Sequence, residues 1–171
     1  SLTSYIESMF RLTSSFKWSE LADRNHPAVR YLEDNAIGTF NHSLVVGTLA
    51  DRAANKISAN SQLARAMAYY HDLGKTANPT MFVENQIGSS NPHDGLLPME
   101  SANILKAHVT EGVKLAKRFK IPEIVYRGIL EHHGDAVIRF FYEKEKTINK
   151  NVSKDEFRHI GNKPTTKESA I

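Results

Sequence analysis

Three groups that can exchange protons or bind phosphate lie close together near the middle of the chain. Within five residues the sequence places the imidazole of His71, the carboxylate of Asp72 and the ammonium group of Lys75, at the end of an apolar segment. If this segment is helical, Leu63, Met67 and His71 lie on one face, so His71 points into the core. A buried imidazole needs a polar partner, and Asp72 is its neighbour. On its own, such a His-Asp pair is more often structural than functional.

Four more histidines are predicted to face the core from other helices. His42 stands near the start of a helix whose apolar residues recur every three to four positions, and we expect that face to be buried. His108 falls in the apolar stripe of a later helix. His132 and His133 end another helix, where Ile129 directs at least one of them inward. The apolar residues expected on the His42 face are Val45, Val46, Leu49 and Ala53.

Five inward imidazoles and one carboxylate indicate a metal site. Burying them without partners would cost roughly 2 to 7 kcal/mol for each unsatisfied group. Ligation removes that cost, and six groups are more than one tetrahedral ion needs. The chain has no cysteine, so nitrogen and oxygen must hold any ion, which suits iron or manganese and is less specific for zinc. Core histidines satisfied by ordinary neighbours are the open alternative.

Length and composition are those of an ordinary globular domain. The 171 residues suit one domain, and 40% of them are apolar. A formal charge of +3 is too mild to indicate a nucleic-acid polymer as partner, but it is compatible with an anionic small substrate. No apolar run is long enough to span a membrane, and the N-terminus has no signal-like pattern.

No segment alternates apolar and polar residues as a strand does, so we predict an all-α fold. Helices are expected at 27–34, 39–57, 61–71, 99–119 and 124–133, and from Phe140 onward, with short turns near Trp18 and Pro79. The amphipathic spacing from Leu2 to Leu12 predicts a helical extension within residues 1–20.

Four local features complete the prediction. Gly74 and Gly134 are expected to end helices. Residues 84–98 are rich in Asn, Gly, Ser and Pro, which indicates a loop with His93 solvated at its tip. Thr165 to Glu168 has the spacing of a capping box and is expected to begin a helix.

Several phrases of the sequence are specific enough to indicate a family. They are Gly-Thr-Phe-Asn-His-Ser-Leu-Val-Val-Gly, Tyr-Tyr-His-Asp-Leu-Gly-Lys, Phe-Val-Glu-Asn-Gln, Asn-Pro-His-Asp-Gly, Ala-His-Val-Thr-Glu-Gly-Val and Leu-Glu-His-His-Gly. Together they resemble the HD-domain metal-dependent phosphohydrolases. More narrowly, they look like the cytoplasmic catalytic domain of the bacterial seven-transmembrane HD phosphodiesterases that hydrolyse cyclic di-AMP. The likeness covers Leu21 to Ile171.

The resemblance implies a helical bundle with two divalent metal ions, iron or manganese, between its core helices. It assigns the first ion to His42, His71 and Asp72, and the second to Asp72, His108, His132 and His133. A hydroxide shared by the ions would attack the phosphorus of cyclic di-AMP and give linear 5′-pApA. Lys75 would stabilise the charge on the phosphate oxygens. Arg139 and Lys163 are weaker candidates for phosphate binding.

Two departures from the family pattern limit this reading. The family carries a last metal-binding aspartate on a helix beyond the position of Ile171, so we expect a chain ending there to be weakly active. Asp135 stands where relatives usually carry threonine, which affects substrate contacts and not the ligands. The Gly-Tyr-Pro signature of the cyclic di-GMP branch is absent after His133.

Other functions stay open from the sequence. The domain could be a module that senses a cyclic nucleotide without cleaving it, or an HD hydrolase for (p)ppGpp or cyclic di-GMP. The resemblance also implies attachment to the cytoplasmic face of the bacterial membrane through a membrane part outside this chain. We further expect residues 1–171 to form one domain, soluble as a fragment, and we consider a homodimer.

Overall fold

The computed structural model describes residues 15–88 and 90–171. Within them, seven α-helices supply the regular structure: α1 Ser15–Leu21, α2 Pro27–Asn35, α3 Ile37–Lys56, α4 Ser61–Tyr70, α5 Pro98–Arg118, α6 Glu123–Glu131 and α7 Arg139–Ile148. Short 3-10 helices occupy Leu73–Ala77, Pro79–Met81, Val83–Asn85, Pro92–Gly95 and Lys154–Phe157. In this part of the chain a single antiparallel bridge, Val137 to Arg158, is the only extended pairing. The all-α prediction is confirmed.

The predicted helices appear close to their expected bounds because their end signals are used. His26 accepts a hydrogen bond from the backbone of Ala28 at the start of α2, and Asn60 accepts one from Leu63 at the start of α4. Gly134 ends the α6 segment with a φ of 54°. The predicted extension from Leu2 to Leu12 lies outside the described residues.

One hydrophobic core joins the elements that carry the site. Its largest fully buried side chains include Tyr70 and Leu73 on either side of the His71–Asp72 pair. The hydroxyl of Tyr70 donates to the carbonyl of Leu21 at 2.6 Å, which ties α1 to the end of α4. Other members of this core are Trp18, Val29, Leu32, Val109, Val125 and Ile129. None of the helices in residues 15–88 and 90–171 is long and apolar enough to cross a membrane.

The buried face of α3 differs from the predicted one. Val45 and Leu49 are each 60% exposed, and the helix instead packs through Gly47, Ala50 and Ala54. A Cβ atom on Gly47 would lie only 2.4 Å from Cε1 of Tyr69, so α3 and α4 approach closely. Small residues permit this approach, whereas the prediction buried the face that carries His42, Val45 and Leu49. The prediction that His42 points into the core is therefore wrong, because its side chain is 48% exposed.

Gly74 has a different function from the predicted one. It lies inside the 3-10 helix Leu73–Ala77 rather than at a helix end. A Cβ atom there would lie 1.8 Å from the carbonyl oxygen of His108 and 2.4 Å from the backbone nitrogen of Gly112. Glycine is required because this segment presses directly against the backbone of α5.

Two predictions for the irregular segments are also wrong. His93 is buried rather than solvated, with Nε2 2.9 Å from the carbonyl oxygen of Met81. Thr165 and Glu168 begin no helix, because both make tertiary contacts. Thr165 donates to Glu131, and Glu168 accepts from the backbone of Asn60.

Candidate metal centre

The carboxylate of Asp72 lies at the centre of the histidine cluster and is almost fully buried. Its Oδ2 atom is 2.9 Å from Nε2 of His71 and 3.9 Å from Nε2 of His42. Its Oδ1 atom is 3.6 Å from Nε2 of both His108 and His132. The two oxygens of one carboxylate therefore face two different groups of imidazoles.

These groups have the geometry of two ion sites. His42, His71 and Asp72 form one set, and His108, His132 and His133 form the other; within each set the ligand atoms lie within 4.8 Å of one another. The second set gains Oδ1 of Asp72 as a fourth candidate ligand. Exposure differs between them, since the side chain of His42 is 48% exposed and that of His108 only 2%.

Backbone carbonyls fix the orientation of three imidazoles. Nδ1 of His71 is 2.7 Å from the carbonyl oxygen of Ala68, and Nδ1 of His108 contacts that of Leu105. Nδ1 of His132 lies 3.0 Å from the carbonyl oxygen of Ile129. A carbonyl only accepts, so each Nδ1 carries a proton and each Nε2 is the ring nitrogen that faces the cluster. Metal-binding histidines are commonly held in this way.

This arrangement fits a pair of cations better than ordinary hydrogen bonding. Nε2 of His108 and Nε2 of His132 are only 3.2 Å apart, although the carbonyl contacts leave a lone pair on each. Oδ1 of Asp72 is buried without a hydrogen-bond donor in the described residues. A metal ion between these nitrogen and oxygen atoms would bind their lone pairs and satisfy the buried carboxylate oxygen.

Burial lowers the pKa of two imidazoles in the second group. Burial lowers the pKa of His108 to about 4, despite the nearby Asp72 carboxylate. Burial and the adjacent His132 lower the pKa of His133 to about 2. Burial alone would raise the pKa of Asp72, but His71 and Lys75 hold it well below its usual value. At neutral pH the site thus offers neutral imidazoles at His108 and His133 and an ionised carboxylate at Asp72, the forms that bind metal. Burial alone would lower the pKa of His71, but the adjacent Asp72 carboxylate raises it.

Lys75 balances the charge of this carboxylate. Its Nζ atom lies 2.9 Å from Oδ2 of Asp72 and 2.7 Å from Oε1 of Glu84. Glu84 also accepts from Oγ1 of Thr39 at 3.1 Å, and Asn85 binds both the backbone and the side chain of Thr39. The 3-10 helix Val83–Asn85 is thereby anchored to the start of α3, and Lys75 is held between two carboxylates.

A cavity of about 450 Å³ opens onto this cluster. Its polar wall includes His42, His71, Asp72, Lys75, His132 and His133. Its apolar wall comes from α3 and α4, through Val46, Ala50, Ala64, Met67 and Ala68. The segment Pro164 to Ile171 closes another side. This size is within the range of small-molecule sites, and polar groups converge at one end.

The structure does not bring every predicted residue to this cavity. His42, His71, Asp72, Lys75, His108, His132 and His133 all meet in the cluster. Arg139 and Lys163 are exposed and do not line the cavity, although Pro164 does. Their binding of phosphate therefore stays a prediction without geometric support.

Three residues of the site were not singled out from the sequence. Glu84 holds Lys75, and Glu131 binds the backbone and hydroxyl of Thr165 beside the cavity. His159 stacks on His133 with ring centroids 3.9 Å apart. The motif phrases include Glu84 and Glu131 without indicating these roles. His159 follows the aromatic Phe157 in a polar segment, where periodicity gives no signal.

Comparisons with known proteins agree with this geometry. A family model described as "HD domain" matches residues 39–167. The chain is 40% identical over 170 residues to the cyclic-di-AMP phosphodiesterase PgpH of Bacillus subtilis (strain 168), covering 99% of this chain and 24% of that protein. It is 41% identical over 165 residues to PgpH of Listeria monocytogenes serotype 1/2a (strain 10403S), covering 96% and 23%. The chain thus spans about a quarter of the length of these relatives.

A solved structure is similar as well. The crystal structure of the PgpH HD domain of L. monocytogenes in complex with cyclic-di-AMP matches with a TM-score of 0.83 and 41% sequence identity. The match covers 86% of this chain and 69% of that chain. The chain belongs to the HD-domain family. The predicted family and the predicted helical bundle are both confirmed.

Proposed function

We propose that this chain is a phosphodiesterase domain that hydrolyses cyclic di-AMP to linear 5′-pApA with two divalent metal ions, iron or manganese. The observation that carries the proposal is the Asp72 carboxylate, whose two oxygens each face a separate group of imidazoles. Relatives named cyclic-di-AMP phosphodiesterase support the substrate. So does the similar HD domain described in complex with cyclic-di-AMP.

In this proposal the first ion is held by His42, His71 and Asp72, and the second by Asp72, His108, His132 and His133. When bound, such a pair of ions lowers the pKa of water and polarises the phosphoryl oxygens. The residues of the chain hold the ligand atoms in place. Backbone carbonyls fix His71, His108 and His132, so the ligand atoms need little rearrangement when ions bind.

Lys75 acts on the phosphate rather than on the ions. Its ammonium group lines the cavity beside Oδ2 of Asp72, and Glu84 holds it from the other side. There it can stabilise the negative charge that grows on the non-bridging oxygens as the phosphodiester bond breaks. Arg139 and Lys163 remain candidates for more distant phosphate contacts.

The proposal extends to the setting of the domain. We infer attachment to the cytoplasmic face of a bacterial membrane through a membrane part outside this chain, with no nucleic-acid polymer as partner. A homodimer is part of the same proposal. We also propose residues 1–171 as one catalytic domain, which the single core of the described helices supports.

The test is a hydrolysis assay with this chain, saturating Mn²⁺ and cyclic di-AMP, with products separated by chromatography. We expect 5′-pApA to accumulate slowly, in agreement with the weak activity expected for this chain, and the Asp72→Ala variant to give none. Cyclic di-GMP and (p)ppGpp in parallel reactions test the substrate, and we expect slower turnover of both. Saturable binding of cyclic di-AMP with no product, even with enzyme in excess, would contradict the proposal and indicate a sensing module.

A further inference from the structure

His133 is held differently from the other imidazoles of the second group. His108 and His132 each place Nδ1 against a backbone carbonyl of their own helix. No hydrogen bond joins the ring of His133 to any protein group in residues 15–88 and 90–171. A ligand imidazole that lacks such a partner needs another constraint on its χ2 angle, because rotation of the ring would carry Nε2 out of position.

Stacking supplies that constraint. The ring of His159 lies nearly parallel to that of His133, with centroids 3.9 Å apart and planes inclined by 19°. The ring of His133 also contacts that of His132, with centroids 4.0 Å apart and planes inclined by 41°. His133 thus packs against two imidazoles, and both contacts restrict rotation of its ring.

Backbone hydrogen bonds on both sides of His159 fix the position of its ring. The backbone N–H of His159 donates to the carbonyl of Ala136 at 2.9 Å, and that of Ile138 donates to the carbonyl of Phe157 at 2.8 Å. The side chain of Phe157 is fully buried, and Lys106 donates to the carbonyl of Glu156 at 2.7 Å. These contacts hold the segment against the chain that follows His133.

The face of His159, rather than its nitrogens, makes the contact. Its Nδ1 atom is buried with no hydrogen-bond partner in the described residues. His159 does not line the cavity and belongs to neither group of converging ligand atoms. Its ring centroid is also 6.2 Å from that of His108. In this position the stacked ring face is the contact that His159 makes with the ligand groups.

We propose that His159 is a positioning residue that holds the ring of His133 by stacking, in the orientation that binds the second metal ion. The inference rests on the proposed two-metal function, because it gives His133 the role of a ligand. It predicts that a flat aromatic ring at position 159 is sufficient, and that an aliphatic side chain of similar size is not.

The test is calorimetric titration of the chain with Mn²⁺, supported by the visible absorption spectrum of the Co²⁺ form. His159→Phe keeps a flat ring, His159→Leu keeps bulk without one, and His159→Ala removes both. The matched control is His26→Ala, which removes another partly buried imidazole. The ring centroid of His26 lies 5.7 Å from that of Tyr70, and His26 lies outside both ligand groups. Circular dichroism verifies the fold of each variant.

We expect His159→Ala and His159→Leu to lower the affinity for the second ion by at least roughly tenfold, as loss of an outer-shell partner usually does. Both variants should also shift the Co²⁺ spectrum. His159→Phe and His26→Ala should stay within roughly threefold of the parent on the same scale. Unchanged binding by a folded His159→Leu would overturn the inference, as would equal losses in His159→Phe and His159→Leu. If the parent chain itself binds no ion, the proposed function fails instead.

Discussion

Replacing Gly74 by alanine tests how closely the His71–Asp72 segment must approach α5. Gly74 lies two residues after Asp72 and one before Lys75. The added Cβ atom would lie 1.8 Å from the carbonyl oxygen of His108, where ordinary contact begins near 3.4 Å. Both this oxygen and the nearby nitrogen of Gly112 belong to the backbone, so no side-chain rotation can relieve the overlap.

The overlap sets the size of the expected effect. The 3-10 helix Leu73–Ala77 must move away from α5 by about 1.6 Å, the difference between the two distances. Oδ1 of Asp72 is now 3.6 Å from the imidazole of His108, so the same movement would separate these groups to about 5 Å, beyond the reach of one shared ion. Overpacking of this kind costs about 3 kcal/mol or more when backbone must shift.

The assay combines urea denaturation with Mn²⁺ titration. We expect the free energy of unfolding to fall by about 3 kcal/mol, which corresponds to a fall in Tm of roughly 6 to 12 °C for a domain of this size. Binding of the second ion should weaken by at least roughly a hundredfold, as expected when the shared ligand is lost. Gly95→Ala is the matched control, because a Cβ atom there meets nothing within 4 Å.

The result that refutes this reasoning is specific. If Gly74→Ala unfolds at the same urea concentration as the parent and binds two ions with parental affinity, the close approach does not position Asp72 against His108. A loss of stability equal to that of Gly95→Ala would have the same meaning.

Three further substitutions test separate parts of the site. Asp72→Asn keeps the shape of the side chain but removes the charge that faces both groups, so calorimetry should detect neither ion at concentrations that saturate the parent; two bound ions would contradict this. His108→Ala removes one ligand of the second group, so elemental analysis should find one ion per chain and 5′-pApA formation should cease in a folded protein; retained cleavage would count against the two-metal mechanism. Glu84→Gln removes the negative charge from the 2.7 Å contact with Lys75, whose side chain is only 14% exposed, and should lower the free energy of unfolding by about 1 to 3 kcal/mol in urea. Glu111→Gln, which removes the charge from an exposed pair of equal length with Lys114, should change it by less than about 1 kcal/mol, and equal effects would contradict the role of Glu84.

Helix positions and the ligand candidates could be predicted because their signals are local. Caps such as Asn60 and the turn residue Gly134 fix where helices begin and end. The stripe from Leu63 through Met67 correctly predicted that His71 is buried. Periodicity alone could not pair His71 with His42, and the phrases shared with the HD-domain family supplied that association.

Errors arose where small residues or distant partners decide the structure. Gly47 lets α3 approach Tyr69, so the face with Val45 and Leu49 is exposed. No local pattern reveals that Gly74 must accommodate a carbonyl of α5. His93, in a loop with polar and glycine neighbours, is buried because it meets Met81 and the ring of Phe141.

Contacts across the chain were also invisible to sequence patterns. His159 reaches His133 only because the segment around Phe157 pairs with residues that follow the paired histidines. Glu168 accepts a hydrogen bond from the backbone N–H of Asn60, more than one hundred positions earlier, instead of capping its own turn. Both are tertiary interactions of polar side chains, which periodicity does not encode.

The most direct test of the two-ion centre is an anomalous difference map from crystals of this chain grown with saturating Mn²⁺. We expect two peaks about 3.5 to 4 Å apart, one on each side of the Asp72 carboxylate. The peak beside His108, His132 and His133 should be the stronger, since that side offers more ligands. A single peak, or none near Asp72, would contradict the arrangement proposed for this domain.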